Sequence, residues 1–268
     1  MGTTGDAWEA RSGMRAVDVL STRELFGLEV VAEGAGVVTK ALTQALDAGE
    51  QCDVAFLNAH AVNVAARDPE FARALGRCLL LNDGVGIDVA SRWVHREPFP
   101  ENLNGTDFVP GFLAAVERPL RLYLLGGRPG VAEAAAQTLA RVAPQHTVVG
   151  TAHGFFEQDA ADGVVRAVAS ARADVLLVAM GNPVQEKFVD RHRDALGVPV
   201  TFSVGALLDF LTGRVERAPG WLRGARSEWV WRLVQEPRRM WRRYLVGNLV
   251  FLLRVVRQSR TVVASRRD

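Results

Sequence analysis

Short apolar runs alternate with longer stretches of helical periodicity along most of this chain. The runs at 54–57, 79–81, 120–125, 148–151, 175–180 and 200–204 predict strands. The stretches 62–75, 131–142, 160–172 and 184–196 predict helices between them. Strands that are apolar throughout, each followed by a helix, predict an α/β fold: a Rossmann-like parallel sheet covered by helices. Near residue 213 the rhythm gives way to arginine- and tryptophan-rich amphipathic sequence. The expected organisation is an N-terminal tail over 1–17, an α/β catalytic domain over 18–213 and a basic helical appendage over 214–268 that associates with a membrane. The tail is small, polar and mixed in charge, reads as disordered, and has no apolar segment of the kind a secretory signal needs.

In an open parallel sheet, ligands gather at the carboxyl ends of the strands. That rule selects four loops, 58–63, 82–88, 126–130 and 181–186. Asp83 follows a strand and precedes Gly84-Val85-Gly86, a setting for a general base approached closely by substrate. An aspartate that merely caps a turn fits equally well. Gly126-Gly127-Arg128-Pro129-Gly130 joins a strand to a helix, where backbone N–H groups can hold a phosphate, although a plain tight turn has the same signature. In Gly181-Asn182-Pro183-Val184-Gln185-Glu186, helix-start chemistry accounts for Pro183 and Glu186. It leaves Gln185 unexplained, and the amide of Gln185 suits a sugar hydroxyl or a base edge.

Composition narrows the function classes. Apolar residues at 49% and charged residues at 23% describe a globular domain. The two cysteines, Cys52 and Cys78, fit no disulfide or zinc pattern and read as small buried hydrophobes in a reducing compartment. The five histidines have no ligand spacing and no Asp-x-Asp pair occurs, so neither a metal site nor a cofactor is expected. The charge is unevenly spread. Residues 217–268 hold thirteen arginines against Glu228, Glu236 and Asp268, a balance of +10. The whole chain carries +2, so the rest carries −8. Four of the six tryptophans lie in the same stretch, which favours an anionic partner. A membrane surface and a nucleic acid both meet that description; the acidic remainder and the lack of a nucleic-acid module favour the membrane. No apolar run is long enough to span a bilayer. Arg232, Arg239 and Arg242 share one helical face if Pro237 only kinks the helix, an arrangement suited to gripping a diphosphate.

The segments Leu57-Asn58-Ala59-His60, Asn82-Asp83-Gly84-Val85-Gly86, Leu103-Asn104-Gly105-Thr106-Asp107, Tyr123-Leu124-Leu125-Gly126-Gly127, His153-Gly154-Phe155-Phe156, Gly181 to Glu186, Arg217-Ala218-Pro219 and the run 228–244 follow one another in an order that resembles the WecG/TagA/CpsF glycosyltransferases. The resemblance covers about 19–251. It implies an inverting, metal-independent transferase that moves a sugar from a nucleotide-sugar, expected to be UDP-linked, to a polyprenyl-diphosphate-linked saccharide in exopolysaccharide or cell-surface polysaccharide synthesis. Asp83 falls on the family's catalytic base. Asn58, Gln185, Asn102, Asn182, Gly126 and Gly127 fall on or beside donor and acceptor pockets, and His60 and Asn63 could supply further hydrogen bonds there. Arg232, Arg239 and Arg242 match arginines that close over the diphosphate. The chain departs from better-known members at Phe56, where they have threonine, and at Asn102, where they have arginine, which leaves the donor sugar open. The location implied is cytoplasmic, on the inner face of the cell membrane, with self-association left open. The alternative of a nucleic-acid-binding protein rests on the basic tail alone.

Overall fold

The computed structural model describes residues 15–157, 160–214, 228–235, 241 and 245–265. The first two strands, β1 (Thr22–Leu25) and β2 (Leu28–Val31), form an antiparallel hairpin about Phe26-Gly27, both at positive φ. Helix α1 (Ala35–Ala48) leads to β3 (Cys52–Leu57), α2 (Ala59–Ala65), α3 (Pro69–Gly76), β4 (Leu79–Asn82), α4 (Val85–Val94) and α5 (Gly105–Ala115). The second half continues with β5 (Arg121–Gly126), α6 (Val131–Val142), β6 (Thr147–Ala152), α7 (Ala161–Ala171), β7 (Val175–Ala179), α8 (Val184–Leu196), β8 (Val200–Ser203) and the short α9 (Leu207–Leu211). Two further described helices, α10 (Glu228–Gln235) and α11 (Gly247–Ser265), lie in the C-terminal segment.

All eight strands join one sheet in the order β1-β2-β4-β3-β8-β7-β5-β6, parallel apart from β1. The expected α/β architecture is thus present. Alternation along the strands divides the interior into two faces. Val54, Phe56, Leu122, Leu124, Val175, Leu177 and Phe202 face α1, α5, α6 and α9. Ala55, Leu57 and Leu80 face α2, α3, α4 and α11, while Tyr123, Leu125, Leu176 and Val178 face α7 and α8.

The single helix expected over 62–75 is two. Asp68 accepts the Phe71 N–H at 3.1 Å, and Pro69, which cannot continue a helix from before it, opens α3 instead. The expected N-terminal tail is described only from Arg15 on, and there Val17 and Leu20 are packed into the core.

Helix α11 is built into the fold. Phe251 and Val255 are fully buried against α2 and α4. The Phe251 ring meets Phe26 of the hairpin turn at 5.5 Å between centroids, and the Phe26 N–H donates to Gln258 Oε1 at 3.2 Å. Gly86 makes room: a Cβ there would sit 3.4 Å from the Phe251 ring. The C-terminal helix therefore presses on the first turn of α4, which closely follows Asp83.

Candidate active site

The parallel strands bring their carboxyl ends to one edge, where the loops after β4, β3, β8, β7, β5 and β6 stand side by side. Leu57 pairs with Asn82 in register, and the Asp83 N–H donates to Leu57 O at 2.8 Å, which carries the pairing one step beyond the strands. Asn58 and Asp83 are thereby held on neighbouring strand ends. Asn58 caps α2: its Oδ1 accepts the Ala61 N–H at 3.0 Å. With the carbonyl committed to the helix, the amide nitrogen turns to Asp83, and Nδ2 donates to Asp83 Oδ2 at 3.1 Å. One carboxylate oxygen is thus tethered and the orientation of the other is set.

A second layer holds this pair. The Gly84 N–H donates to Asn102 Oδ1 at 2.8 Å, so Asn102 fixes the turn that follows Asp83. Asn82, 1% exposed, donates to Glu101 O at 2.9 Å and accepts the Leu103 N–H on its backbone carbonyl, tying segment 101–103 to β4. Phe56 points into the core, and its ring lies against Gly105, where a Cβ would come within 2.9 Å. The ring belongs to the core and offers no polar group to the strand-end loops.

His60 stands half-buried in the first turn of α2, beside the Asn58 cap. Asn63, one turn further on, faces the C-terminal helix: its Nδ2 donates to Gly247 O at 2.7 Å and its Oδ1 accepts from Arg254 Nε at 3.1 Å. Both polar atoms of Asn63 are engaged in clamping α11 to α2.

On the other side of the sheet centre, Gln185 Oε1 accepts two backbone N–H groups, Gly181 at 3.0 Å and Gly205 at 3.1 Å, and so ties the loop after β7 to the loop after β8. Its Nε2 donates to Glu186 Oε1 at 2.8 Å, which also receives Asn182 Nδ2 at 2.7 Å. Glu186 is 1% exposed, and burial pushes its carboxyl up to about 7. The helix-dipole role expected of Glu186 does not account for this network, whose one sign in the sequence is a carboxylate shortly after a fully apolar strand and its turn.

The glycine loop after β5 runs tight against its neighbours. Gly126 adopts φ 142°, and a Cβ there would lie 2.3 Å from Ala179 O. The Gly127 N–H donates to Ala179 O at 2.9 Å, and Gly127 O accepts the Gly154 N–H at 2.9 Å. The Gly127 N–H expected to cradle phosphate is thus spent on β7, and the glycines serve close approach between β5, β7 and β6. Gly126 and Asp83 are four strands apart, about 19 Å along the edge. No group of three or more metal-ligating side chains occurs among the described residues. Arg239 and Arg242 lie outside the described residues, and of Arg232 only the backbone, in α10, is described.

The model of the glycosyl transferase WecG/TagA/CpsF family matches residues 23–264, nearly the whole described fold including α11. The chain belongs to this family. It is therefore a glycosyltransferase. Two relatives, from Bacillus subtilis (strain 168) and Bacillus spizizenii (strain ATCC 23059 / NRRL B-14472 / W23), both carry the name N-acetylglucosaminyldiphosphoundecaprenol N-acetyl-beta-D-mannosaminyltransferase. The first is 27% identical over 194 residues, 72% of this chain and 74% of the relative. The second is 27% identical over 183 residues, 68% of this chain and 70% of the relative. Family membership favours the transferase over the nucleic-acid alternative.

Proposed function

We propose that this enzyme transfers a sugar from a nucleotide-sugar, UDP-linked, to a saccharide carried on a polyprenyl diphosphate, with inversion and without a metal ion. The observation that carries the proposal is the Asn58–Asp83 pair at adjacent strand ends. Asp83 takes the proton of the acceptor hydroxyl as its oxygen bonds to the anomeric carbon. The bond from that carbon to the diphosphate breaks on the opposite face, and the nucleoside diphosphate leaves with the electron pair. Asn58 steadies the base through its N–H donation to Asp83 Oδ2. The relatives' names supply the substrate class: a lipid-linked N-acetylglucosamine acceptor and an N-acetylmannosaminyl donor. Phe56 and Asn102, where the sequence departs from the resemblance, make the donor sugar a separate question from the donor nucleotide.

The β5 loop stands at the end of the site remote from Asp83, with the Gln185–Gly205 tie between the two, which fits the nucleotide half of the donor. Arg232, Arg239 and Arg242 take the place of a metal on the diphosphate in this reading. The working division is a catalytic unit to about 213 and a segment 214–268 that holds the protein on the inner, cytoplasmic face of the membrane. What supports peripheral attachment is the run of exposed apolar side chains Leu245, Val246, Leu249, Leu252 and Leu253 on and before α11, next to the basic, tryptophan-rich stretch. No helix among the described residues is long and apolar enough to cross a bilayer.

The test is release of UDP from UDP-sugars in the presence of a polyprenyl-diphosphate-linked N-acetylglucosamine, with EDTA added. Wild type turns over; Asp83→Asn, with an unchanged circular dichroism spectrum, loses about 100-fold or more in kcat, the range general bases contribute. Full turnover by Asp83→Asn removes the base, and activity only with added divalent metal removes the metal-free mechanism.

A further inference from the structure

Glu186 is a buried carboxyl at the strand edge that glycosyl transfer, as derived above, does not use. Its two oxygens are treated differently. Oε1 receives both the Asn182 and the Gln185 amides, at 2.7 and 2.8 Å. Oε2 is buried and has no hydrogen-bond partner among the described residues. An apolar side chain at this position would strand the buried Gln185 amide and the half-buried Asn182 amide. An unpartnered, desolvated oxygen is also a poor place for a negative charge. The rise of the carboxyl to about 7, caused by burial, agrees with a group that works in its neutral form.

The arrangement has a directional consequence. With the proton of the neutral carboxyl on the unpartnered Oε2, Oε1 only accepts, so both amides turn their nitrogens toward it. Gln185 is left with its carbonyl on the Gly181 and Gly205 N–H groups, which is what joins the β7 and β8 loops. Asn182, half-buried at the strand edge, is left with its carbonyl turned away from Glu186. We propose that Glu186 is a positioning residue, which fixes the amide orientation of Asn182 and Gln185 so that Asn182 presents its carbonyl to a hydroxyl of the bound nucleotide-sugar. This rests on the glycosyl-transfer reading for the ligand, though not for the orientation itself.

Two readouts separate the parts. In the first, donor kcat/KM is measured for Glu186→Met, Glu186→Gln, Asn182→Ala and the Asn182→Ala/Glu186→Met double variant. Glu186→Met is expected to lose about tenfold, mostly in donor KM, and Glu186→Gln, which keeps a neutral acceptor, to stay within about threefold. In the Asn182→Ala background the Glu186→Met change loses most of its effect and keeps only the part that passes through Gln185. In the second, the side-chain amide signals of Asn182 and Gln185 in a nitrogen-15 correlation spectrum keep their dispersion in Glu186→Gln and lose it in Glu186→Met. Should Glu186→Met fail to fold, Asn182→Asp replaces the donor facing Glu186 with an acceptor. Measured at pH 8, where Glu186 has lost its proton and cannot donate, Asn182→Asp is expected to lose about tenfold, and adding Glu186→Gln, which can donate to the aspartate, restores part of it.

Effects of Asn182→Ala and Glu186→Met that multiply overturn the proposal. So do a Glu186→Gln protein as impaired as Glu186→Met, an Asn182→Asp protein indifferent to residue 186, or amide signals indifferent to Glu186→Met. A wild type that releases no nucleotide while its amide signals depend on Glu186 defeats the transfer reading and leaves the orientation standing.

Discussion

At Gly126 the backbone turns from β5 toward α6 with its Cα against the carbonyl of Ala179, and the residue after it donates to that same carbonyl. A methyl group at Gly126 would meet Ala179 O at 2.3 Å and would also have to adopt φ 142°, so the strand edge cannot keep its shape with alanine there. Gly130, in the same loop, has φ 86° and open space within 4 Å of where a Cβ would stand, so its substitution carries backbone strain alone. Gly126→Ala is expected to lower stability by about 2 kcal/mol or more and Gly130→Ala by about 1 kcal/mol, measured by denaturant unfolding. Equal losses at the two positions would mean that the close approach to Ala179 is not what demands glycine. The requirement for glycine at 126 is visible in the sequence; its cause is not, because Ala179 is 53 residues away and only the sheet order makes it a neighbour.

At the scale of elements, legibility followed burial. The helices over 131–142 and 184–196 are readable end to end, and β5, β7 and β8 to within two residues, because these strands are buried nearly throughout and are bounded by glycine or proline. The β1–β2 hairpin is not readable: its turn holds Phe26, an apolar residue at positive φ, and both strands are four residues long, with β1 polar in its first three. Helix α11 carries two apolar faces, and the sequence does not say which is inside. Phe251 and Val255 go to the core, whereas Leu249, Leu252 and Leu253 remain exposed, which divides the helix into a structural face and the face proposed to meet lipid. Phe251→Ala is expected to destabilise the fold by about 3–5 kcal/mol. Leu249→Asp/Leu253→Asp leaves unfolding nearly unchanged and cuts sedimentation with anionic liposomes. If both variants altered only stability, the outer face of α11 would have no part in membrane attachment. The Asn58–Asp83 pair was legible as two loops but not as a pair, since it depends on β3 and β4 being neighbours in register.

Over the whole molecule, two buried carboxyls on opposite edges of the sheet give stability a pH dependence that composition does not suggest. Asp53, at the amino-terminal edge in β3, is pushed up by burial to about 6, even though Arg193 lies at 3.4 Å and favours its charged form. Glu186, at the carboxyl edge, is pushed up to about 7. In the unfolded chain both titrate near the ordinary carboxyl values of 3.8 and 4.5. Between roughly pH 4 and 7 the folded protein therefore holds protons that the unfolded chain has released, and stability falls as pH rises through that window. Asp68 and Glu70 act in the opposite sense and lower down. Hydrogen bonds from Lys187 hold both below the usual carboxylate range, so what they contribute is present above that range and lost on acidification. The Glu186 contribution can be isolated because Glu186→Gln is always neutral. Its stability relative to wild type should change little below about pH 4.5 and then grow to about 3 kcal/mol by pH 8, the equivalent of the Glu186 displacement at 1.36 kcal/mol per pH unit. Denaturant unfolding at pH 4.5, 6 and 8 measures this directly. A difference that stays constant across the three would show that Glu186 titrates alike in the folded and unfolded protein, and would locate the falling limb at Asp53 alone.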